Sequence, residues 1–238
     1  HSFPTRRSSD LDIATQLEHR RHERELFASG VRRFILGLGK KMLIANTLGE
    51  VADAVFALPA RDLGAGLSWL GLICYALQIY FDFAAYSDMA IGLGRMFGFR
   101  FLENFHYPYV AQSLTEFWRR WHISLSRWFR DYLYIPLGGN RRSSLRTYLN
   151  LSIVFLLCGL WHGASWNFVI WGTIHGAALV LERAGFARVL SVAPGILRHA
   201  WTLLIVLVAW VYFRAETLDQ ANDYLLALFG FGAGADDT

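Results

Sequence analysis

Long stretches without a formal charge divide this chain of 238 residues. Residues Gly64 to Phe81 form one stretch of 18, and residues Thr147 to Leu181 form another of 35. Because a helix needs about 20 apolar residues to cross a bilayer, the first stretch predicts one membrane-spanning helix. The second exceeds a single span, so it predicts two helices or one interrupted helix. Glycines inside it offer places to break or to pack closely: Gly159, Gly163, Gly172 and Gly176.

Two further stretches are weaker candidates for spans. Residues His199 to Phe213 carry 15 uncharged positions between Arg198 and Arg214, so they cross a bilayer only if both arginines extend toward the headgroups. The stretch Val31 to Leu58 is interrupted by four cations, and we expect it to lie partly at the membrane interface. These cations are Arg32, Arg33, Lys40 and Lys41. The whole pattern predicts an all-α, multi-pass bundle of transmembrane helices.

One segment between the spans has a different pattern, that of an amphipathic helix at the membrane interface. Ser113 and Glu116 have the spacing of a capping box, which marks a helix start. Pro136, followed by Gly138 and Gly139, marks the stop. The sequence therefore predicts a single helix of about five turns between these signals.

The two faces of this predicted helix differ in chemistry. At about 100° per residue, one face carries apolar side chains, mostly rings: Phe117, Trp118, Trp121, Leu125, Trp128, Phe129 and Tyr132. The opposite face carries Arg119, Arg120, Arg127 and Arg130, and His122 falls at the edge of the aromatic face. From Arg119 to Arg146 there are seven arginines and one acid, Asp131, a local charge of +6. Such a segment belongs on the cytoplasmic side; the alternative is a solvated basic loop, which gives the rings no dry surface.

Composition agrees with a membrane protein. The chain is 54% hydrophobic and only 18% charged, which excludes a disordered chain and is unlike a soluble domain. The net charge of +4 comes almost wholly from arginine. Arginine suits lipid headgroups at the membrane surface, so nucleic acid is not an expected partner.

Several common kinds of chemistry lack their sequence signatures. Cys74 and Cys158 each lie in an apolar run, which implies neither a disulfide nor a metal site. The sequence contains no H-E-x-x-H, C-x-x-C, P-loop or G-x-S-x-G motif. Zinc proteolysis, thiol redox chemistry, nucleotide hydrolysis and the usual serine-hydrolase arrangement are therefore not indicated.

Two acids within the predicted spans are candidates for function. Asp82 and Asp88 lie in apolar sequence, where an unpaired charge costs several kcal/mol. The alternative is a purely structural role. In that case each acid pairs with an arginine such as Arg95, or accepts hydrogen bonds from Tyr80 and Tyr86.

Histidines are the strongest candidates for chemistry. His162 lies between Trp161 and Trp166, and His122 precedes it by 40 residues in a second tryptophan-rich motif. Imidazole is the side chain best suited to move a proton near neutral pH; the alternative is a structural histidine hydrogen-bonded inside a helix bundle. His175 is 13 residues past His162, roughly 220° away on a continuous helix. The two share a face only if the helix breaks.

Three stretches that contain these residues resemble a known family: YFDFAAYSDMAIGLGRMFGFRFLENFHYPY, LTEFWRRWHISLSRWFRDYLYIPLGGNR and LRTYLNLSIVFLLCGLWHGASWNFVIWGTIHG. They cover much of Ile79 to Gly176, and the stretch Leu26 to Asn46 is similar more weakly. They resemble the membrane-bound O-acyltransferase (MBOAT) family, in particular the branch that acts in alginate O-acetylation. The family's invariant histidine matches His162, and its second polar position, histidine or asparagine, matches His122.

The resemblance implies that an acyl group, in this branch acetyl, moves from a donor on the cytoplasmic side to an acceptor outside, through a tunnel between the helices. His162 would be general base or proton shuttle, and His122 would polarise the reacting group or orient the acyl chain. An acyl donor such as acetyl-CoA would be a co-substrate, with no bound cofactor or metal. Candidates for contact with substrate in the tunnel are Trp118, Trp121, Trp161, Trp166, His175, Asp82 and Asp88.

The sequence leaves several acceptors and two other functional classes open. Related proteins pass acetyl to periplasmic acetyltransferases for a polysaccharide such as alginate, at the bacterial inner membrane. Others with the same motifs move D-alanine to teichoic acid, or acetyl to peptidoglycan or cellulose. A membrane transporter would predict an internal repeat, and none is found. A noncatalytic scaffold would not explain histidines in two tryptophan-rich motifs.

The first eleven residues, HSFPTRRSSDL, differ in character from the rest and resemble the translation of a sequencing adapter. We therefore expect residues 1–11 to be foreign. Residues 12–238 are expected to be a fragment of an MBOAT membrane core that lacks spans at both ends and is inactive on its own.

Overall fold

Every regular element in the described part of the chain is a helix. The computed structural model describes residues 14, 16, 17 and 23–232, so the segment 1–11 that we expect to be foreign lies outside the described residues. The main helices in chain order are α1 (Arg24–Gly39), α2 (Asn46–Phe56), α3 (Ala65–Met96), α4 (Leu114–Arg120), α5 (Ile123–Phe129), α6 (Ser144–His162), α7 (Trp166–Leu181), α8 (Ala187–Val192), α9 (Gly195–Arg214) and α10 (Leu218–Leu228). Short π-helical segments connect some of them: Lys40–Ala45, Arg130–Tyr134 and Glu182–Phe186. Turns of 3-10 helix are Ala60–Asp62 and Pro108–Val110.

Three of the described helices are long and apolar enough to cross a membrane: α3 with 32 residues, α6 with 19 and α9 with 20. The prediction of an all-α membrane bundle is thus confirmed. Helix α3 extends well past the predicted end at Phe81, because Asp82 and Asp88 continue the helix instead of ending it. Their charges are met by side chains on another helix.

Helices α1 and α2, joined through the π-helical segment, run antiparallel along α3. Arg33 and Lys40 both contact Asp88, with nitrogen to oxygen distances of 2.7 and 2.6 Å, and Lys41 lies 2.6 Å from Asp82. Three of the four cations that interrupt the stretch 31–58 therefore pair with the two acids of α3. The partners suggested from sequence, Arg95 and the neighbouring tyrosines, are not the ones used, because opposite charges on the facing helix approach the carboxylates more closely.

The 35-residue uncharged stretch forms two helices, α6 and α7, which is one of the two predicted alternatives. The break lies at residues 163–165, where the Ser165 hydroxyl accepts a hydrogen bond from the Asn167 N–H at 3.3 Å and begins α7. The two helices return on each other at close range. The Cα atoms of Gly159 and Gly172 face one another, and a Cβ on either glycine would lie 2.3 Å from a backbone oxygen of the other helix. Glycine is needed here because the backbones touch.

The prediction of one continuous amphipathic helix is wrong. The segment forms two short helices, α4 and α5, separated at Trp121 and His122. Its start is as predicted, since the Ser113 hydroxyl accepts a hydrogen bond from the Glu116 N–H at 3.0 Å. Its end is also as predicted: the last helical residue is Tyr134, and the turn through Gly138 and Gly139 follows. The physical cause of the break is a loop segment that binds the backbone there, described below.

The close packing of α6 on α7 generates a prediction about stability. Gly159→Ala adds a methyl group where a backbone oxygen lies 2.3 Å from the Cβ position, so the helices must separate. We expect a loss of about 1–3 kcal/mol, the usual cost of overpacking. Thermal unfolding in detergent, followed by tryptophan fluorescence, measures the effect.

The matched control is Gly66→Ala, because nothing lies within 4 Å of a Cβ at that helical position. There alanine removes conformational freedom from the unfolded chain without a clash, so its melting temperature should equal or exceed that of the starting protein. Equal melting temperatures for the two variants would show that the glycine contact does not hold α6 against α7.

Candidate active site

A cavity of about 640 Å³ lies among α3, the α4–α5 junction, α6, α7 and α9, and we call it the aromatic cavity. Most of its wall consists of rings, and both predicted catalytic histidines line it. Its lining residues are Tyr75, Gln78, Ile79, Asp82, Phe83, Tyr86, Trp118, Trp121, His122, Leu125, Trp161, His162, Trp171, Trp210 and Phe213. The size is within the range of small-molecule sites.

The wall around Trp121 is tied together by polar contacts. The hydroxyl of Tyr109 donates to the carbonyl of Ala76 on α3 at 2.6 Å and accepts from the indole N–H of Trp210 on α9 at 3.1 Å. The rings of Trp121 and Trp210 lie 5.1 Å apart, centroid to centroid. One loop tyrosine thus links two of the helices that frame the cavity.

The break between α4 and α5 places His122 in the cavity wall. Trp121 has an extended backbone, and His122 has φ 43° and ψ 57°, the left-handed region that non-glycine residues rarely adopt. The backbone N–H of Ile123 donates to the carbonyl of Asn104 at 2.9 Å, and the N–H of His106 donates to the carbonyl of Arg120 at 2.9 Å. The loop therefore binds the backbone on both sides of the break and stabilises the strained conformation.

The side chain of Asn104 completes this attachment. Its Oδ1 accepts hydrogen bonds from the backbone N–H and the hydroxyl of Ser124, both at 3.0 Å. The Nδ1 atom of His122 lies 3.3 Å from the same oxygen. Burial, together with the smaller effect of the nearby His162, lowers the pKa of His122 to about 4. His122 is thus a neutral imidazole at neutral pH.

His162 enters the cavity from a different element, as the last residue of α6. Its ring packs among Trp161, Trp171 and Phe213, with centroid distances of 4.9, 5.1 and 5.0 Å. The described residues form no hydrogen bond with either of its ring nitrogens. A Cβ at Gly163, the next residue, would lie 2.6 Å from the ring of Phe168. The chain turns away directly after the histidine because glycine leaves room there.

The remaining predicted site residues divide between the cavity and other places. Asp82 lines the cavity beside its partner Lys41. Asp88 lies outside it, where Arg33 and Lys40 pair with the carboxylate. Asp88 thus lies in an ion-pair cluster away from the cavity, whereas Asp82 contacts both its cation and the cavity.

His175 and Trp166 are not among the residues that line the aromatic cavity. His175 is fully buried behind Trp118 and Trp171, each with its ring centroid 5.0 Å from the imidazole. These two indoles line the cavity and separate the imidazole from it. Trp166 is 72% exposed on the surface of α7. The tryptophans that line the cavity are Trp118, Trp121, Trp161, Trp171 and Trp210.

Two residues that organise this site were missed by sequence reasoning. Asn104 lies in a loop without any helical or motif spacing that links it to His122. Glu182 was counted only as the charge that ends the 35-residue stretch. It is 3% exposed, and its carboxylate accepts hydrogen bonds from the backbone N–H groups of Leu114 and Thr115 at 2.7 and 3.2 Å. It also accepts from the Trp201 indole at 3.3 Å, so it fixes the start of α4 against α7 and α9.

The structure is a helical membrane bundle with two histidines in one aromatic cavity. Comparison of the sequence with known protein families identifies its class. The chain belongs to the MBOAT, membrane-bound O-acyltransferase family, whose model matches residues 3–216.

Individual relatives are similar over most of this chain. It is 54% identical over 223 residues to the Azotobacter vinelandii protein described as "Probable alginate O-acetylase AlgI". The matched region covers 93% of this chain and 44% of the relative. It is 44% identical to a peptidoglycan O-acetyltransferase of Helicobacter pylori, over 85% of the chain and 39% of that relative. It is 28% identical to a teichoic acid D-alanyltransferase of Bacillus subtilis, over 79% of the chain and 49% of that relative. The chain thus spans less than half the length of these relatives.

The buried carboxylate at the start of α4 generates the next prediction. In Glu182→Gln, one oxygen becomes an NH₂ group that must face an N–H donor or a hydroxyl, because both carboxylate oxygens accept hydrogen bonds. We expect a loss of about 1–3 kcal/mol, the cost of an unsatisfied buried polar group. The melting temperature of the purified protein in detergent measures it.

The same substitution at Glu50 is the control, because Glu50 is exposed on α2 and removal of its charge should leave the melting temperature within error. If the Glu182→Gln and Glu50→Gln proteins have the same melting temperature, Glu182 does not fix the position of α4.

Proposed function

We propose that this chain is part of an integral membrane O-acyltransferase that moves acetyl for O-acetylation of an extracellular polysaccharide such as alginate. The observation that carries the proposal is the aromatic cavity with His122 and His162 in its wall. Support for alginate as acceptor comes from 54% identity to the relative with that description, against 28% to the D-alanyltransferase. We place the protein in the bacterial inner membrane as a multi-pass protein, with periplasmic acetyltransferases as partners.

In the proposed reaction the hydroxyl oxygen of the acceptor attacks the carbonyl carbon of an acetyl thioester, with acetyl-CoA as donor. A carbon–oxygen bond forms and the carbon–sulfur bond breaks. His162 accepts the hydroxyl proton and returns it to the leaving thiolate, so the imidazole is neutral again at the end. General base catalysis of this kind contributes roughly 10² to 10⁴-fold. His162 suits the role because, among the described residues, no hydrogen bond occupies either of its ring nitrogens.

The cavity wall supports the reaction in two further ways. The rings around His162 exclude water, so the thioester is kept from hydrolysis. His122 is held neutral by its buried setting and orients the sugar acceptor beside His162. Asp82 lies in the same wall and is paired with Lys41, so it does not supply a free negative charge near the thioester carbonyl.

Three substitutions in the full-length protein that contains this chain test the roles of the histidines. His162→Ala should lower acetyl transfer by about 10² to 10⁴-fold, because it removes the general base. His122→Asn should retain part of the activity, since an amide still forms hydrogen bonds. His175→Ala should have the smallest catalytic effect, because Trp118 and Trp171 separate it from the cavity. The measurement is the acetyl content of secreted polysaccharide, normalised to the abundance of each variant in the membrane.

Normal acetylation by a well-expressed His162→Ala protein would contradict the general-base role and leave His162 as a structural histidine. Loss of acetylation in the His175→Ala protein, at normal abundance and melting temperature, would contradict the assignment of the reaction to the aromatic cavity.

The arginine-rich segment Arg119 to Arg146 gives a topological prediction. It is short, strongly basic and next to apolar helices, so we expect it to face the cytoplasm. Ser143 is exposed at the start of α6. Ser143→Cys, in a protein with Cys74 and Cys158 replaced by alanine, should react with an impermeant maleimide only after the membrane is opened. Reaction in intact cells would place the segment outside.

A further inference from the structure

The amide of Asn104 has a fixed orientation beside His122. The backbone N–H of Ser124 donates to the atom placed as Oδ1, at 3.0 Å. If the amide were flipped, its NH₂ group would point at that N–H, and two donors would face each other. The oxygen of Asn104 therefore faces Ser124, and with it His122.

This orientation determines which nitrogen of His122 carries the proton. The Nδ1 atom lies 3.3 Å from Asn104 Oδ1, and the contact is attractive only when Nδ1 is protonated. The Ser124 hydroxyl also lies 3.3 Å from Nδ1, but it donates its proton to Asn104 Oδ1 at 3.0 Å. In the neutral imidazole the other nitrogen, Nε2, is then unprotonated and carries a lone pair.

The loop that carries Asn104 is itself held from α1 and α3. Glu103, the preceding residue, accepts two hydrogen bonds from the guanidinium of Arg33, one of them at 2.5 Å from Nη1. The same guanidinium donates to Asp88 on α3 at 2.7 and 3.0 Å. The pairing raises the pKa of Arg33, with the hydrogen bond to Glu103 as the largest cause. Asp88, outside the cavity, thus anchors the loop that reaches into its wall.

We propose that Asn104 is a positioning residue for the acyl-transfer site: it holds His122 in its left-handed backbone conformation and binds its Nδ1 proton, so that Nε2 presents a lone pair to the aromatic cavity. This inference rests on the proposed function. It makes the role of His122 specific. A lone pair on Nε2 accepts a hydrogen bond from a second hydroxyl of the sugar acceptor, whereas it cannot donate one to the thioester carbonyl. His122 thus orients the sugar, and His162 removes the proton of the reacting hydroxyl.

Two substitutions separate this role from a merely structural one. Asn104→Ala removes the acceptor, so the imidazole can rotate and change tautomer; we expect activity to fall by about 100-fold, the cost of a misplaced catalytic group. Asn104→Asp keeps an acceptor for Ser124 and for Nδ1 but adds a negative charge. That charge favours the imidazolium, so the pKa of His122 rises and the active neutral form is lost as pH falls through the raised value. The acid limb of activity should move about one to three units toward higher pH.

The assay is transfer of radiolabelled acetyl from acetyl-CoA to alginate, by membranes that contain the full-length protein with its partners, from about pH 3 to pH 9, so that the range includes the acid limb of the unsubstituted protein. The matched control is Asn222→Asp, because Asn222 is exposed and accepts one hydrogen bond, from the Tyr212 hydroxyl at 3.0 Å. We expect its pH profile to match that of the unsubstituted protein. An unshifted acid limb for Asn104→Asp would overturn the proposal.

A second measurement does not depend on activity. Hydrogen–deuterium exchange in peptides that cover residues 121–126 should be faster in Asn104→Ala and unchanged in Asn104→Asp, because only the alanine removes the acceptor of the Ser124 N–H. Unchanged exchange in the alanine variant would overturn the proposal. His162→Ala, assayed in parallel, tests the general base alone: if it is inactive while Asn104→Asp keeps its acid limb, the positioning role fails and the proposed function stands.

Discussion

Backbone groups freed by a helix break need new hydrogen-bond partners, and in an apolar bundle water does not supply them. At the α4–α5 junction these partners come from the loop at Asn104 and His106, which binds the carbonyl of Arg120 and the N–H of Ile123. The position of His122 depends on this exchange of hydrogen bonds. A continuous helix would have satisfied the same groups internally, with the imidazole on its side instead of at a sharp turn toward α6.

Charge pairing across α1 and α3 supports the same region from the other side. The half-buried carboxylate of Asp88 pairs with Arg33 and Lys40, so none of these three charged groups is left without a partner. Arg33 also reaches Glu103, in the loop. Removal of Asp88 would leave Lys40 without its partner and Arg33 paired with Glu103 alone. We therefore regard the cluster as a condition for the loop geometry and not as a general source of stability.

Sequence reasoning predicted what depends on composition and local spacing. The spans, the start of α4 at Ser113 and the stop after Tyr134 follow from apolar runs and turn residues, and the structure has them. The motif resemblance pointed to His122 and His162, which the structure brings to one cavity. The break at His122 could not be predicted, because its cause is an asparagine 18 residues earlier in a loop. The partners of Asp88 were missed for the same reason, since no periodicity relates α1 to α3.

The end of α6 has one further consequence for the proposed reaction. His162 is its last residue, so the imidazole lies at the end of 19 residues of aligned peptide dipoles, where the terminal carbonyls carry partial negative charge. A positive charge in that position is stabilised by about 0.3–1 kcal/mol, and by up to about 2 kcal/mol where water is partly excluded. The histidine becomes positive only while it holds the proton of the acceptor. The helix dipole therefore stabilises the protonated form of His162 during the reaction, relative to the neutral imidazole before and after proton transfer.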